Sequence, residues 1–343
     1  MDFMENSRKV RLSDIAQKLG VSTVTVSKAI ADKEGVGDDL REKIKQVAQE
    51  MGYKQKTSHL PGAKGDNSTG NIGIVIPTRF FERSTSFYWS LYNALSRELL
   101  SNGYYAIMEQ LEDTDEFDLA IPHMIQDKKV DGVIFLGQVS NDYARFISKN
   151  YSNFIFLDFY LSDEDSDSVT TDNFYSEYMM TEYLISMGHK KIRYVGTFNA
   201  TTSISDRFMG FMKAMLENGL SVHFNEIIDD RDSKGTNKTI ELPLDNMPTA
   251  FVCNCDDCAV NLIKELNKKG YKVPEDISVV GFDNFISSGS ISPALTTVEV
   301  DSQNTARACV ELLLKKIRGL PCNHGHTVVG GRIIHRDSVK RLN

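Results

Sequence analysis

The chain runs through two hydrophobic rhythms. Up to about residue 52, apolar side chains recur at intervals of three and four, the spacing that gathers them on one face of a helix. Ile15, Ala16 and Leu19 mark a first short helix, with Ser13 as its N-cap and Gly20 as its stop. Ser22 caps a second helix carrying Val24, Val26, Ala29 and Ile30. A third runs from about Asp38 to Met51 on Leu40, Ile44, Val47, Ala48 and Met51. Asp38 and Asp39 suit its N-terminus, and Gly52 closes it. The glycine turn between the first two has helix-turn-helix spacing.

From Ile72 the rhythm changes. The apolar runs "NIGIVIP", "GYYAIMEQ", "DGVIFLG", "FIFLDF", "KIRYVGT", "TAFVCNC" and "ISVVGFD" each end in a break. Stretches of helix length lie between them, at 88–102, 174–187 and 258–269 among others. Short buried strands separated by helices predict parallel β-α-β units, an α/β fold. Ligands bind such sheets beyond the carboxyl ends of the strands.

Composition narrows the class. The 343 residues are enough for two or three domains with a substantial core. No signal peptide is readable at the N-terminus, and no apolar run approaches membrane-spanning length. Five cysteines form no spaced framework, which argues for reduced thiols and a cytoplasmic protein. Cys253, Cys255 and Cys258 lack a nearby fourth ligand, so buried structural thiols are expected rather than a metal site. The net charge is −8, but residues 1–56 hold 11 Lys and Arg against 9 Asp and Glu, leaving 28 against 38 for the remainder. The first domain is therefore mildly basic by itself. The acidic runs 112–118 and 162–168 read as solvated loops.

The second helix carries chemistry suited to DNA. Ser22, Thr23, Thr25 and Ser27 are short hydroxyls that can approach phosphates at a helix N-terminus. Thr23 and Val24 stand at its front, where base edges are reached, and Val24 suits a thymine methyl. Lys28 lies further along, within reach of either a guanine edge or a phosphate.

"VRLSDIAQKLGVSTVTVSKAI" followed by "LREKIKQVAQEMGYK" resembles the DNA-binding headpiece of the lactose/galactose repressor (LacI/GalR) family. The resemblance places Thr23, Val24 and Lys28 at the operator-choosing positions, with a lysine where an arginine is usual. It also draws in Leu12, Ser13 and Tyr53 as DNA contacts. The family's hinge helix inserts a leucine into the minor groove. Here residues 53–73, "YKQKTSHLPGAKGDNSTGNIG", lack its Pro-Asn and Ala-Arg, Leu60 is the only candidate wedge, and the composition is that of a flexible linker.

Downstream, "GHKKI", "RFMGF", "PTAFVCNCDD", "PEDISVVGFDN", "PALTTV" and "RDS" extend the resemblance over nearly the whole chain. It implies a core similar to periplasmic sugar-binding proteins, two Rossmann-like lobes closing on a small molecule. The implied organisation is a headpiece at 1–56, a hinge or linker at 57–71, and a core at 72–343. Lobe 1 would take about 72–171 and 299–326, and lobe 2 about 172–298 and 327–343. Carboxylates, guanidinium groups and aromatic faces suit a sugar. The family positions that match are Arg207, Asp283, and the aromatic pair Phe87 and Tyr88, with Trp89 beside them; Asp158 ends the strand "FIFLD" at the same mouth. Cys255 and Asp256 stand where the family has Asn-Asp, so either Asn254 supplies the amide or the ligand differs. Phe87 and Trp89 read equally as core.

No P-loop, G-x-S-x-G or H-E-x-x-H is present. The reading is therefore a non-enzymatic transcription regulator, most simply a repressor, without a cofactor or metal. Its partners would be operator DNA, a carbohydrate-like effector and a second copy of itself, with no membrane. No terminal heptad repeat follows "RDSVKRLN", so a coiled-coil tetramer is not expected. The rivals are a solute-binding protein of sugar transport and a sugar-modifying enzyme.

Overall fold

The computed structural model describes residues 12–30, 35–51, 68–83, 87–162, 166–232, 235, 237–285, 291–321 and 325–342. The chain divides into two compact units, Met1–Ala63 and Lys64–Asn343.

The first unit holds α1 (Leu12–Leu19), α2 (Thr23–Ile30) and α3 (Asp38–Glu50). Their apolar stripes meet in a core of Ile15, Ala16, Val26, Ala29, Ile44 and Ala48. Gly20 adopts φ +66°, and the N–H of Val21 closes back on the carbonyl of Ala16 at 3.1 Å, the left-handed stop that glycine takes without strain. Ser22 caps α2, its Oγ accepting from the Thr25 N–H at 3.0 Å. Ser13 is not a cap. Leu12 packs on the core and is drawn into the first turn, which leaves Ser13 inside the helix with its hydroxyl toward Asp14. Gly52, Tyr53 and Leu60 lie outside the described residues.

The second unit contains two sheets. In chain order its elements are β1 (Asn71–Pro77), α4 (Thr78–Arg83), α5 (Phe87–Ser101), β2 (Tyr105–Leu111), α6 (Asp113–Phe117), α7 (His123–Gln126), β3 (Gly132–Leu136), α8 (Asn141–Asn150), β4 (Phe154–Leu157), β5 (Ser168–Thr171), α9 (Asn173–Ser186), β6 (Ile192–Val195), α10 (Thr202–Glu217), β7 (Ala250–Cys253), α11 (Asp256–Lys268), β8 (Ser278–Asp283), β9 (Thr296–Glu299), α12 (Ser302–Ile317), β10 (His326–Val329) and β11 (Arg332–Ile334). One sheet has the order β10-β5-β4-β3-β1-β2, all parallel. The other has the order β11-β9-β8-β7-β6, parallel except for β11 against β9.

The central strands β3, β4 and β7 are buried along their whole length, as continuous apolar runs require. Phe135, Phe156 and Tyr143 fill one face of the first sheet, and Phe251, Val279 and Leu262 fill one face of the second. Each contributes about 1.5–3 kcal/mol by leaving water. The chain passes between the sheets at Asp172, at 300–301 and at Gly330–Gly331. The last passage falls later than the expected 326/327, because His326–Val329 pair with Ser168–Thr171 before the chain leaves the first sheet.

The acidic runs are not simply solvated loops. Glu112–Phe117 forms a capped turn of helix whose buried Glu116 meets Arg79 at 2.7 Å. Asp167 is wholly buried and holds Lys316 at 2.7 Å and the Gly325 N–H at 2.8 Å. Both carboxylates tie together segments far apart in sequence, a use no local pattern announces.

The lobes touch across the cleft. Gln138, just past β3, accepts through Oε1 from the Thr202 N–H at 3.1 Å and its hydroxyl at 3.2 Å. The Tyr160 hydroxyl donates to Asp206 Oδ1 at 2.8 Å.

Candidate functional site

On α2 the inward face is spent on Val26 and Ala29, and Thr23, Val24, Ser27 and Lys28 stand exposed at one-turn spacing on the opposite face. Val24 is 63% exposed, uncovered by anything in its own unit. Thr25 turns to Ser22, the two hydroxyls 2.8 Å apart, so both serve the helix cap. Thr23, Val24, Ser27 and Lys28 are exposed, and Ser22 is exposed beside them. Leu12 is half-buried against the core of this unit.

In the second unit, a cavity of about 300 Å³ lies beyond the carboxyl ends of both sheets. Arg207 reaches it from the second turn of α10, a helix started by Thr201, whose hydroxyl accepts from the Ile204 N–H at 3.1 Å. The guanidinium is nearly immobile. Its Nε donates to Asn173 Oδ1 at 2.8 Å, one Nη to the Asn254 carbonyl, and the other to Asp283 Oδ1 at 3.4 Å. The Phe282 ring lies beneath it, 3.6 Å from centroid to guanidinium carbon. Burial works against its charge, but Asp283 and Asp158 more than offset that.

The two carboxylates end strands of different sheets. Asp158 follows β4 at φ +71°, and Asp283 ends β8 at φ +109°. Both are in the left-handed region that L-residues avoid, which turns their side chains out of the sheet and into the cleft. Tyr88 donates its hydroxyl to Asp158 Oδ2 at 2.9 Å. Burial pushes Asp158 upward, opposed by Arg207 and that hydroxyl. Burial also pushes Asp283 well above the usual carboxylate range; Arg207 opposes this only in part, since Asp256, Asp158 and Asp257 all repel the charge.

The opposite wall is built on Asp230. It meets Arg231 at 2.7 Å and accepts from Asn254 Nδ2 at 2.9 Å and the Thr197 N–H at 2.9 Å. Asn254 spends its other amide hydrogen on the Val195 carbonyl at 3.1 Å, so its amide is fixed in the wall. Cys255 follows as the N-cap of α11 and lines the same cavity.

Of the residues expected from sequence, Phe87, Tyr88, Asp158, Arg207, Asn254, Cys255 and Asp283 line the cavity. Trp89 does not. On α5 the buried stripe is Phe87, Leu91, Leu95 and Leu99, and a residue two positions along points about 200° away. Trp89 is accordingly exposed, its ring stacked at 5.3 Å on Tyr92. Asp256 is also outside the cavity. It is fully buried, accepting from the Thr297 hydroxyl at 2.6 Å and the Phe285 N–H at 3.3 Å, which holds β9 and the loop after β8 in place. Arg79, Asp230, Arg231 and Asp257 line the cavity and were not anticipated. For Arg79 a signal existed, since it sits two residues beyond the carboxyl end of β1. Asp230 and Arg231 follow no strand-like run and carry no comparable mark.

Rigid donors, carboxylate acceptors and aromatic faces around one small cavity suit a polyhydroxylated ring. Comparison with known proteins bears on both units. Residues 11–56 match the family of bacterial regulatory proteins, lacI family, and residues 181–339 match the periplasmic binding protein-like domain. The chain is 26% identical over 338 residues to the HTH-type transcriptional repressor PurR of Mannheimia succiniciproducens, covering 96% of this chain and 99% of that protein. It is 28% identical over 311 residues to PurR of Actinobacillus pleuropneumoniae, covering 90% and 91%. Among solved structures it is similar to the lac repressor dimer bound to operator and an anti-inducer (TM-score 0.69, 20% identity, 97% and 100% covered). It is also similar to the regulator CelR in complex with cellobiose (TM-score 0.68, 20% identity, 96% and 100% covered).

Proposed function

The chain pairs a LacI-family helix-turn-helix domain with a periplasmic-binding-protein-like domain, and on that premise we propose a repressor whose operator affinity is set by a small sugar or sugar derivative held between the lobes. The observation that carries this reading is the cavity around Arg207, Asp158 and Asp283, fed by both sheets at once. A ligand there touches both lobes, so it favours one lobe arrangement over another. Its effect on DNA affinity equals that difference in affinity. The likeness to CelR in complex with cellobiose supports a carbohydrate, and the cavity's volume is at the lower end for ligand sites.

The proposed protein acts as a homodimer, with two copies of α2 on a pseudo-palindromic site. Thr23, Val24, Ser27 and Lys28 contact DNA, and Tyr53 and Leu60 are proposed contacts on the following segment. No helix among the described residues is long and apolar enough to cross a membrane, and DNA as partner places the protein in the cytoplasm. An enzymatic role is not proposed.

Two measurements test the reading. A thermal-shift screen against mono- and oligosaccharides should find a sugar that raises Tm in proportion to the logarithm of its concentration, and Arg207→Ala should abolish that rise. Fluorescence anisotropy with duplex DNA should show affinity that falls steeply with salt. Absence of salt-sensitive DNA binding at low salt refutes the repressor reading, and turnover of the bound sugar refutes the non-enzymatic one.

A further inference from the structure

Three cysteines meet at the top of β7. Cys253 and Cys258 are buried; Cys255 is partly exposed to the cleft, and Cys255 and Cys258 both line its cavity. Cys255 is the N-cap of α11 and Cys258 is its third residue. The Cys255 sulfur accepts from the Cys258 N–H at 3.4 Å, so it already lies against the backbone of Cys258. A disulfide needs Cβ atoms roughly 3.5–4.5 Å apart, and an N-cap folded back on its third residue puts the two side chains on the same turn. The Cys258 thiol points instead to the Val195 carbonyl at 3.7 Å and also meets the Cys253 thiol, weak contacts that a side-chain rotation releases and that make Cys253 the competing partner.

We propose that Cys255 and Cys258 are a thiol–disulfide exchange site in the cleft wall, taking a low-molecular-weight disulfide as substrate. The Cys255 thiolate attacks one sulfur of the small disulfide, forming a mixed disulfide and releasing the first thiolate. The Cys258 thiolate then attacks the Cys255 sulfur, the second small thiolate leaves, and the Cys255–Cys258 bond closes. The protein dithiol loses two electrons and two protons, and the small disulfide becomes two thiols.

Cys255 takes the first step because it is the one of the three that is not buried. Burial pushes both thiols well above their usual range, and Arg231 opposes this. Exchange is therefore slow, but the product has poor leaving groups and persists until a strong dithiol reduces it. Closure takes sulfur away from the α11 cap and draws it across the wall beside Arg231 and Asn254. The consequence, weaker effector binding in the oxidised protein, rests on the regulator reading; the exchange does not.

Trypsin releases Thr239–Lys264 with Cys253, Cys255 and Cys258 and no other cysteine. Reduced full-length protein is incubated with glutathione disulfide, alkylated and digested. The expected peptide is lighter by two hydrogens, alkylated once, and restored by dithiothreitol. Cys258→Ser should stop at a glutathione adduct on Cys255, Cys255→Ser should leave both remaining thiols alkylated, and Cys253→Ser should keep the crosslink. Three alkylated cysteines, under conditions that oxidise the urea-unfolded chain, overturn the proposal. So does a crosslink that survives Cys255→Ser. Neither effector nor DNA enters the assay, so failure here leaves the regulator reading standing, and failure of DNA or sugar binding leaves this result standing.

Discussion

Glu177→Gln tests the most exceptional charge in the molecule. Glu177 lies on α9 with no exposure, and neither carboxyl oxygen has a hydrogen-bond partner among the described residues. Arg207 of α10, Asp283 of β8, Tyr194 of β6 and Cys253 of β7 are the ionisable groups around it. Burial, with a smaller push from Asp283, raises its pKa from 4.5 to about 8 against the pull of Arg207. Below pH 4.5 the folded and unfolded chains both carry the proton, and the group has no effect on stability. Above it the unfolded chain releases the proton while the folded chain keeps it, so unfolding becomes easier by about 1.4 kcal/mol per pH unit. The loss reaches about 3 kcal/mol at pH 7 and levels off above about pH 8 near 5 kcal/mol.

Glutamine keeps the shape and cannot titrate. Its unpartnered amide costs about 1–3 kcal/mol, but equally at every pH. The quantity to measure is therefore the slope of the difference. Urea denaturation followed by far-UV circular dichroism at pH 5, 6, 7 and 8 should show Glu177→Gln gaining on the wild type as pH rises. Asp283 and Asp158 titrate in both proteins and largely cancel. Parallel stability curves would refute the reasoning: the carboxylate would then be ionised in the fold, with solvent reaching it behind α9.

Three further outcomes follow from the geometry. Gly210→Ala places a Cβ 2.1 Å from the Phe174 carbonyl oxygen, where α9 and α10 touch; the helices must part, at about 3 kcal/mol or more, and an unchanged Tm would show that the contact is soft. Asp131 binds the Ser68 hydroxyl at 2.6 Å, the Thr69 N–H and hydroxyl at 2.6 and 2.9 Å, and the Gly70 N–H at 2.9 Å. Asp131→Ala should raise hydrogen exchange at Thr69 and Gly70 at least about tenfold, the weight of one lost charge-assisted bond, and unaltered protection would contradict the anchoring. Val24→Ala, at a 63% exposed position, should leave the unfolding free energy within about 0.5 kcal/mol of the wild type while weakening binding to a selected operator by about 1 kcal/mol or more; equal affinity for that operator would remove Val24 from the base-reading face.

The inner strands were readable in the sequence because burial decides them. A run such as "DGVIFLG" bounded by breaks suits an interior strand, and β3 is buried at every position. The partly exposed edge strands β10 and β11 carry no such run. The headpiece was readable for the same reason, since its three stripes close on one small core. The cleft was half readable. Asp158 and Asp283 stand at strand ends, where the rule that ligands sit beyond them needs only the positions of strands; Arg207, on a helix, came from the family resemblance alone. Trp89 failed because a helix turns 100° per residue, so an aromatic beside two lining residues can face the other way. Asp256 failed because its partners, Thr297 and Phe285, lie 41 and 29 residues further along. Arg231 and Asp230 failed for the converse reason: nothing around 230 marks a strand end, and contacts to Thr197 and Asn254, 33 and 24 residues from Asp230, bring them into the wall.

The failures and the function coincide in space for a physical reason. A core position is satisfied by any apolar neighbour, so its requirement is visible in local pattern. A buried charge is satisfied only by specific atoms, and those come from wherever the chain can supply them. Around Arg207 the fold accepts two aspartates in left-handed backbone, a carboxyl with no partner on α9, and a thiol where an amide would bond better. Each weakens the fold locally, by about 1–3 kcal/mol for every strained backbone position. Strands β3, β4 and β7 carry no left-handed residue and no unpartnered buried polar side chain. Leu119 and Lys128 are left-handed too, but each stands just past the end of a short helix; at the cavity strained backbone and buried charge come together, which fits side chains kept for what enters it, with stability supplied by the sheets.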